Sequence, residues 1–183
     1  MYQRTIRAKV TRTGVGLHSG KAIKLEVLPA PADNGITFVR TDMVRHAELR
    51  ACIQHVGDTT LATTLQVGVN GSRAVVGTVE HLLAAFMGLG IDNAQVLLDG
   101  PEVPVLDGSA GPFVEMLRDV GLECQRKLKR FIVVKKEITV RDGDKVASIA
   151  PGRGLRVECS VDFDHPLIPP TPFKFTFSER GFA

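Results

Sequence analysis

Gly77-Thr78-Val79-Glu80-His81-Leu82-Leu83-Ala84-Ala85-Phe86 reads as the opening of an amphipathic helix. Val79, Leu82, Leu83 and Phe86 fall at i, i+3, i+4 and i+7, a spacing that aligns them on one face. Thr78 suits the N-cap, and Gly88 or Gly90 the C-terminal end. Glu80 then falls at N2 and His81 at N3, where free backbone N–H groups favour negative charge. Adjacent helical residues diverge by about 100°, so this carboxylate and imidazole can flank one ion or water from two sides. Such a pair suits a hydrolytic zinc site, where one group ligates the metal and the other takes a proton from water. It also suits a glutamate that complements the helix dipole beside a half-buried histidine. Spacing alone does not choose between them.

Working outward, the chain reads as α+β. Thr5 to Val10 and Ala22 to Leu28 have strand character, the second alternating Ile23, Leu25 and Val27 with Lys24 and Glu26. Residues 29–35, Pro-Ala-Pro-Ala-Asp-Asn-Gly, form a turn signal. Ile36 to Arg40, Thr59 to Val67 and Ala94 to Leu98 are further strand candidates. A second helix is expected from about Ser109, with Phe113, Met116, Leu117 and Val120 repeating the apolar stripe before Gly121. Two helices with one apolar stripe each should cover one face of a sheet, giving a two-layer sandwich. Polar and basic residues from Glu123 to Arg130 mark a change of texture, so a first domain is expected over 1–125. Residues 126–183 then carry a hairpin over Phe131 to Ile149 turning at Asp142-Gly143, a strand from Leu155 to Phe163 and a break at Pro166 to Pro172. Strands without helices would form only the start of a second, incomplete domain. Apolar residues such as Ile132, Val134, Val157 and Val161 would then lack an internal cover.

Composition narrows the function classes. The 183 residues are 44% hydrophobic, enough for one good core and part of a second, and the net charge is only +3. Aromatic residues make up 5% and tryptophan is absent, which argues against a stacking surface for nucleic acid. The one basic concentration, Arg126, Lys127, Lys129, Arg130, Lys135 and Lys136, reads as a solvated face. Contact with an anionic partner, a diphosphate or a membrane surface, is the alternative. Cys52, Cys124 and Cys159 are widely spaced and read as small core residues in a reducing compartment. No apolar run nears the roughly 20 residues that span a bilayer, and the N-terminus has no signal-peptide pattern. A cytoplasmic protein without a transmembrane segment is expected. Asp99, Glu102 and Asp107 lie among Gly100, Pro101, Pro104 and Gly108, a setting for carboxylates that cap nearby N–H groups rather than gather a metal. Gly14, Gly16 and Gly20 lack GxGxxG spacing. His165, before Pro166, reads as a turn residue.

Six segments then occur in an order that resembles a known family. They are Thr13-Gly-Val-Gly-Leu-His18-Ser-Gly-Lys21, Asp58-Thr-Thr-Leu-Ala-Thr-Thr-Leu65, Thr78-Val-Glu-His-Leu-Leu-Ala84, Leu89-Gly-Ile-Asp-Asn93, the run from Pro101 to Phe113, and Asp162-Phe-Asp-His-Pro166. Together they look like the UDP-3-O-(3-hydroxyacyl)-N-acetylglucosamine deacetylases, zinc amidases of lipid A biosynthesis in Gram-negative bacteria. The resemblance implies a hydrolase acting on a UDP-linked, acylated glucosamine, met at a membrane surface or as a dispersed monomer.

Carried over residue by residue, the family's general base falls on Glu80 and one of its three protein ligands to zinc (Zn2+) on His81. Leu61 and Ala62 match a strand beside the substrate, with ordinary strand packing as the alternative, and His18 in the glycine-rich loop is a further candidate substrate contact. The family places its other two zinc ligands in a His-Lys-x-x-Asp segment, and its second catalytic histidine downstream as well. None of these occurs in the 183 residues. The sequence is therefore expected to be the N-terminal portion of such an enzyme, inactive by itself. A non-catalytic fragment, or a binding or regulatory relative, is the competing reading.

Overall fold

The structure, a computed structural model, describes residues 1–44, 46–69, 71–163, 165–178 and 182. It divides into two compact units, Met1–Lys129 and Arg130–Ala183. The first unit contains strands β1 (Tyr2–Ile6), β2 (Val10–Val15), β3 (Ala22–Pro29), β4 (Ile36–Arg40), β5 (Ala47–Arg50), β6 (Val56–Asp58), β7 (Thr64–Val69) and β8 (Ser72–Val76). Helix α1 (Glu80–Leu89), β9 (Ala94–Leu98), helix α2 (Gly111–Asp119) and β10 (Leu122–Leu128) complete it. A 3-10 turn covers Ile53–His55.

The largest sheet has the order β2-β3-β9-β4-β5, and within it only β4 and β9 run parallel. Period-two patterning decides which face is apolar. Ile23, Leu25 and Val27 of β3 are buried, as are Ala94, Val96 and Leu98 of β9, while Lys24 is exposed. The register sets Leu25 opposite Leu98 and Val27 opposite Val96, so the two rows form one apolar surface. A sheet face buried this completely needs a second layer. The helices, which touch one another, supply it with Leu82, Ala85 and Phe86 of α1 and Phe113, Met116 and Leu117 of α2. The class is α+β, with strands in several sheets and both described helices in the first unit. A small sheet β6-β7-β8 and the pair β1-β10 stand beside the main one.

Several local expectations are corrected. Thr78 is not the N-cap: Val79 occupies that position, Glu80 begins the helix, and the Thr78 hydroxyl turns away to Glu102. The helix ends as expected at Gly90, whose φ of 67° lets the Ile91 N–H reach the Phe86 carbonyl at 2.9 Å. Thr5 to Val10 is not one strand but the end of β1 and the start of β2. Residues 59–63 are a loop rather than strand, and β7 begins only at Thr64. Cys52 is half-buried and Cys124 and Cys159 are exposed, so these free thiols are not core residues. Apart from these corrections, residues 125 and 126, between which a domain boundary is expected, both lie in β10, which pairs antiparallel with β1. Two members of the basic cluster are engaged there, Lys127 with Asp33 at 3.1 Å and Lys129 with Asp92 at 2.9 Å.

The second unit consists of two hairpins, β11 (Ile138–Asp142) with β12 (Lys145–Ile149) and β13 (Arg156–Val161) with β14 (Thr171–Thr176). The first turns at Gly143-Asp144, with Gly143 at φ 57°, one residue later than the expected Asp142-Gly143 turn, and its first strand begins only at Ile138. β14 and the residue after it bring Phe173, Phe175 and Phe177 into succession, neighbouring ring centroids 6.4 Å apart. Its described residues include no helix. Ile132, Val157 and Val161 are exposed and Val134 half-buried. His165 forms a turn, its Nδ1 accepting from the Leu167 N–H at 3.2 Å. Asp164 and residues 179–181 and 183 lie outside the described residues. No described helix is long and apolar enough to cross a membrane.

Candidate functional site around the start of helix α1

Two carboxylates organise the approach to α1. Glu80, in the first turn, is half-buried, and its Oε2 accepts the Thr63 N–H at 3.1 Å. That bond ties the helix start to the 59–63 loop. Leu61 and Ala62 immediately precede Thr63; Leu61 is 86% exposed and has φ 63°, in the left-handed region. An exposed leucine in a conformation that disfavours side chains is held there by its surroundings rather than by its own preference. His81 is half-buried beside Glu80.

Glu102 is the second organiser. Although the residue is only 3% exposed, it ties together two other segments of the chain. Its Oε1 accepts the His18 N–H at 3.0 Å and the Thr78 hydroxyl at 2.8 Å, and its Oε2 accepts the Ser19 N–H at 2.8 Å. Burial, the strongest single influence, would push this carboxyl up. The N–H groups of His18 and Ser19 with the hydroxyls of Ser19 and Thr78 outweigh it and hold Glu102 below the usual glutamate range.

The backbone around it is built to allow this approach. A Cβ on Gly16 would strike the Ser19 hydroxyl and the Glu102 carboxylate, so any side chain there would force one of them to move. Thr78 has φ 56°, a costly conformation for a β-branched residue, about 1–2 kcal/mol. A hydrogen bond to a charged partner contributes about 1.5–3 kcal/mol, enough to hold Thr78 there. Gly77 adds backbone bonds to the same strip, donating to Pro101 at 2.9 Å and accepting from Val103 at 3.0 Å.

The sequence candidates therefore meet through two hubs. Glu80 joins α1 to the loop of Leu61 and Ala62; Glu102 joins the loop of His18 to Thr78, two residues before Glu80. The His18 main chain is fixed while the residue remains exposed. Asp99 accepts the Lys24 N–H at 2.7 Å, and Asp107 accepts the N–H and hydroxyl of Ser109 at 2.8 and 2.9 Å. All three carboxylates accept N–H groups as expected, but only Asp107 does so within its own turn; Asp99 and Glu102 reach distant segments. Those Ser109 bonds hold Asp107 below the usual aspartate range. What sequence reasoning missed is the reach of Glu102, whose partners lie 84, 83 and 24 residues away; only the clustering of Gly14, Gly16 and Gly20 hinted at a close approach.

Among the described residues no group of three or more His, Cys, Asp or Glu side chains could hold a metal ion. A catalytic zinc takes three protein ligands and an open position. His81 alone does not meet that requirement, so these residues by themselves do not fit a zinc centre.

The sequence model of the family LpxC, UDP-3-O-acyl N-acetylglycosamine deacetylase, matches residues 3–183. The chain belongs to this family. It is similar to a UDP-3-O-acyl-N-acetylglucosamine deacetylase of Myxococcus xanthus (strain DK1622), with 49% identity over 181 residues, 99% of this chain and 56% of the relative. A deacetylase of the same name from Anaeromyxobacter sp. (strain Fw109-5) is 48% identical over 98% of this chain and 57% of its own. Another, from Marinobacter nauticus (strain ATCC 700491 / DSM 11845 / VT8), is 52% identical over 90% of this chain and 53% of its own. The chain spans about half the length of the curated relatives it matches.

Proposed function

We propose that residues 1–183 supply the base-bearing portion of a zinc-dependent UDP-3-O-acyl-N-acetylglucosamine deacetylase, an enzyme of lipid A synthesis that works in the cytoplasm. The supporting observation is the pairing of Glu80 and His81 in the first turn of α1, with Glu80 anchored by Thr63, in a chain of this family. In the reaction, water adds to the acetyl carbonyl, the C–N bond breaks, acetate leaves and the sugar amine is freed. Glu80 takes the proton from the attacking water and delivers it to the departing nitrogen. Thr63 holds the carboxylate towards its task while leaving Oε1 free of that bond. In the complete enzyme a zinc ion supplies a more acidic water and a polarised carbonyl; His81 would be one ligand, with others from outside this sequence. Leu61, Ala62 and the loop of His18 border the approach and are assigned to substrate contact. The lipid-bearing substrate is compatible with peripheral membrane contact, and residues 1–125 are assigned as the domain that presents the base.

The test is a chimera in which residues 1–183 replace the matching part of the Myxococcus xanthus relative. It should deacetylate UDP-3-O-acyl-N-acetylglucosamine, lose activity to a chelator and regain it with zinc. Glu80→Gln should lower kcat by about 10²–10⁴-fold. An active chimera indifferent to that substitution would overturn the assignment.

A further inference from the structure

Glu102 lies outside the pair to which the chemistry is assigned, yet it is the side chain that decides where that pair begins. We propose that Glu102 is a positioning residue: it locks Thr78 in a left-handed backbone conformation and thereby aims the first turn of α1, and with it Glu80. Three observations carry this. The carboxylate is buried and accepts from Thr78, His18 and Ser19 at 2.8–3.0 Å. Thr78, with φ 56°, is the last turn-making residue before the Val79 cap and Glu80. The facing loop is emptied of a side chain at Gly16, so that nothing displaces the carboxylate. Rotating Thr78 back to an ordinary conformation would redirect everything that follows it, including the Glu80 carboxylate now seated on the Thr63 N–H.

The inference rests on Glu80 as the acting base only for its catalytic consequence; the geometric part stands alone and is read without activity. Amide hydrogen exchange of the 183-residue chain should be compared between wild type and Glu102→Gln, which keeps the shape but removes the charge. The decisive amide is that of Thr63, which bonds to Glu80 and not to Glu102. If Glu102 aims α1, Thr63 exchange should rise by about tenfold or more while amides of β3 and β9 keep their protection. A plain cap would free only His18 and Ser19, and a general loss of stability would raise exchange throughout the unit; either result overturns the proposal.

If Glu102→Gln does not fold, Thr78→Ala and Thr78→Ser carry the same test. Alanine removes the hydroxyl and should release Thr63; serine keeps it and should restore protection. Equal behaviour of the two overturns the proposal. In the chimera, Glu102→Gln should lower kcat with little change in KM. Released Thr63 with unchanged kcat would leave the anchor standing and count against Glu80 as the base.

Discussion

Glu102 remains charged although buried, because four donors converge on it, and this has a consequence for acid stability. Its folded pKa lies below the ordinary glutamate value, so the ionised form is favoured by folding. That stabilisation is complete above the unfolded value, about 4.3, and is lost as pH falls through the lower folded value. Chemical unfolding midpoints of the wild type should therefore drop below about pH 4.3. Glu102→Gln should be less stable at neutral pH and show a shallower acid slope; equal slopes would remove Glu102 from the acid response. At the opposite face of the same contact, Gly16→Ala places a methyl group against Ser19 and Glu102. It should cost about 1–3 kcal/mol by urea unfolding. At this scale the sequence revealed the residue types and not their meetings: Glu80 and His81 stand out because they are adjacent, whereas Glu102 meets His18 across 84 residues.

Elements differ in how openly the sequence announces them, and the reason is what stabilises each. Helix α1 advertises itself because burial of Leu82, Ala85 and Phe86 writes a 3.6-residue period. β3 and β9 do the same with period two. β10 is nearly silent, since Leu122-Glu-Cys-Gln-Arg-Lys-Leu has exposed positions almost throughout. It is held by its ladder to β1 and by Gln125, which accepts from Asn93 at 2.7 Å and donates to the Ala30 carbonyl at 2.8 Å. A polar strand held by hydrogen bonds leaves no hydrophobic pattern, so it reads as a linker. The 59–63 loop misleads in the other direction: its threonines suggest strand, while the Glu80 anchor and the left-handed Leu61 bend it. Helix α1 carries its own prediction. Phe86→Ala should destabilise the chain by about 3–5 kcal/mol, whereas Gly90→Ala, strained at φ 67°, should cost about 1–2 kcal/mol. Thermal or urea denaturation separates the two, and the reverse order would contradict the described helix end.

For the whole molecule, the decisive fact is where burial stops. Among the described residues every buried apolar one lies between Ile6 and Leu117, and none in 130–183 belongs to the core. Cooperative stability should therefore reside in the first unit. A polypeptide ending at Lys129 should unfold at nearly the same midpoint as residues 1–183, while 130–183 alone should show no cooperative transition. The end of β10 sharpens this. Ending at Gln125 removes the Lys129 N–H bond to Met1 and the Leu128 carbonyl that accepts from Gln3. It also removes the half-buried Lys129 ammonium from Asp92 and the Gly90 carbonyl. At about 0.5–1.5 kcal/mol for each neutral bond and rather more for the charged ones, residues 1–125 should be roughly 2–4 kcal/mol less stable than 1–129. Urea unfolding of the two polypeptides, followed by circular dichroism, measures this difference. Equal midpoints would mean that the strand after Gln125 adds nothing, and would place the boundary of the folding unit where the change in sequence texture alone had drawn it.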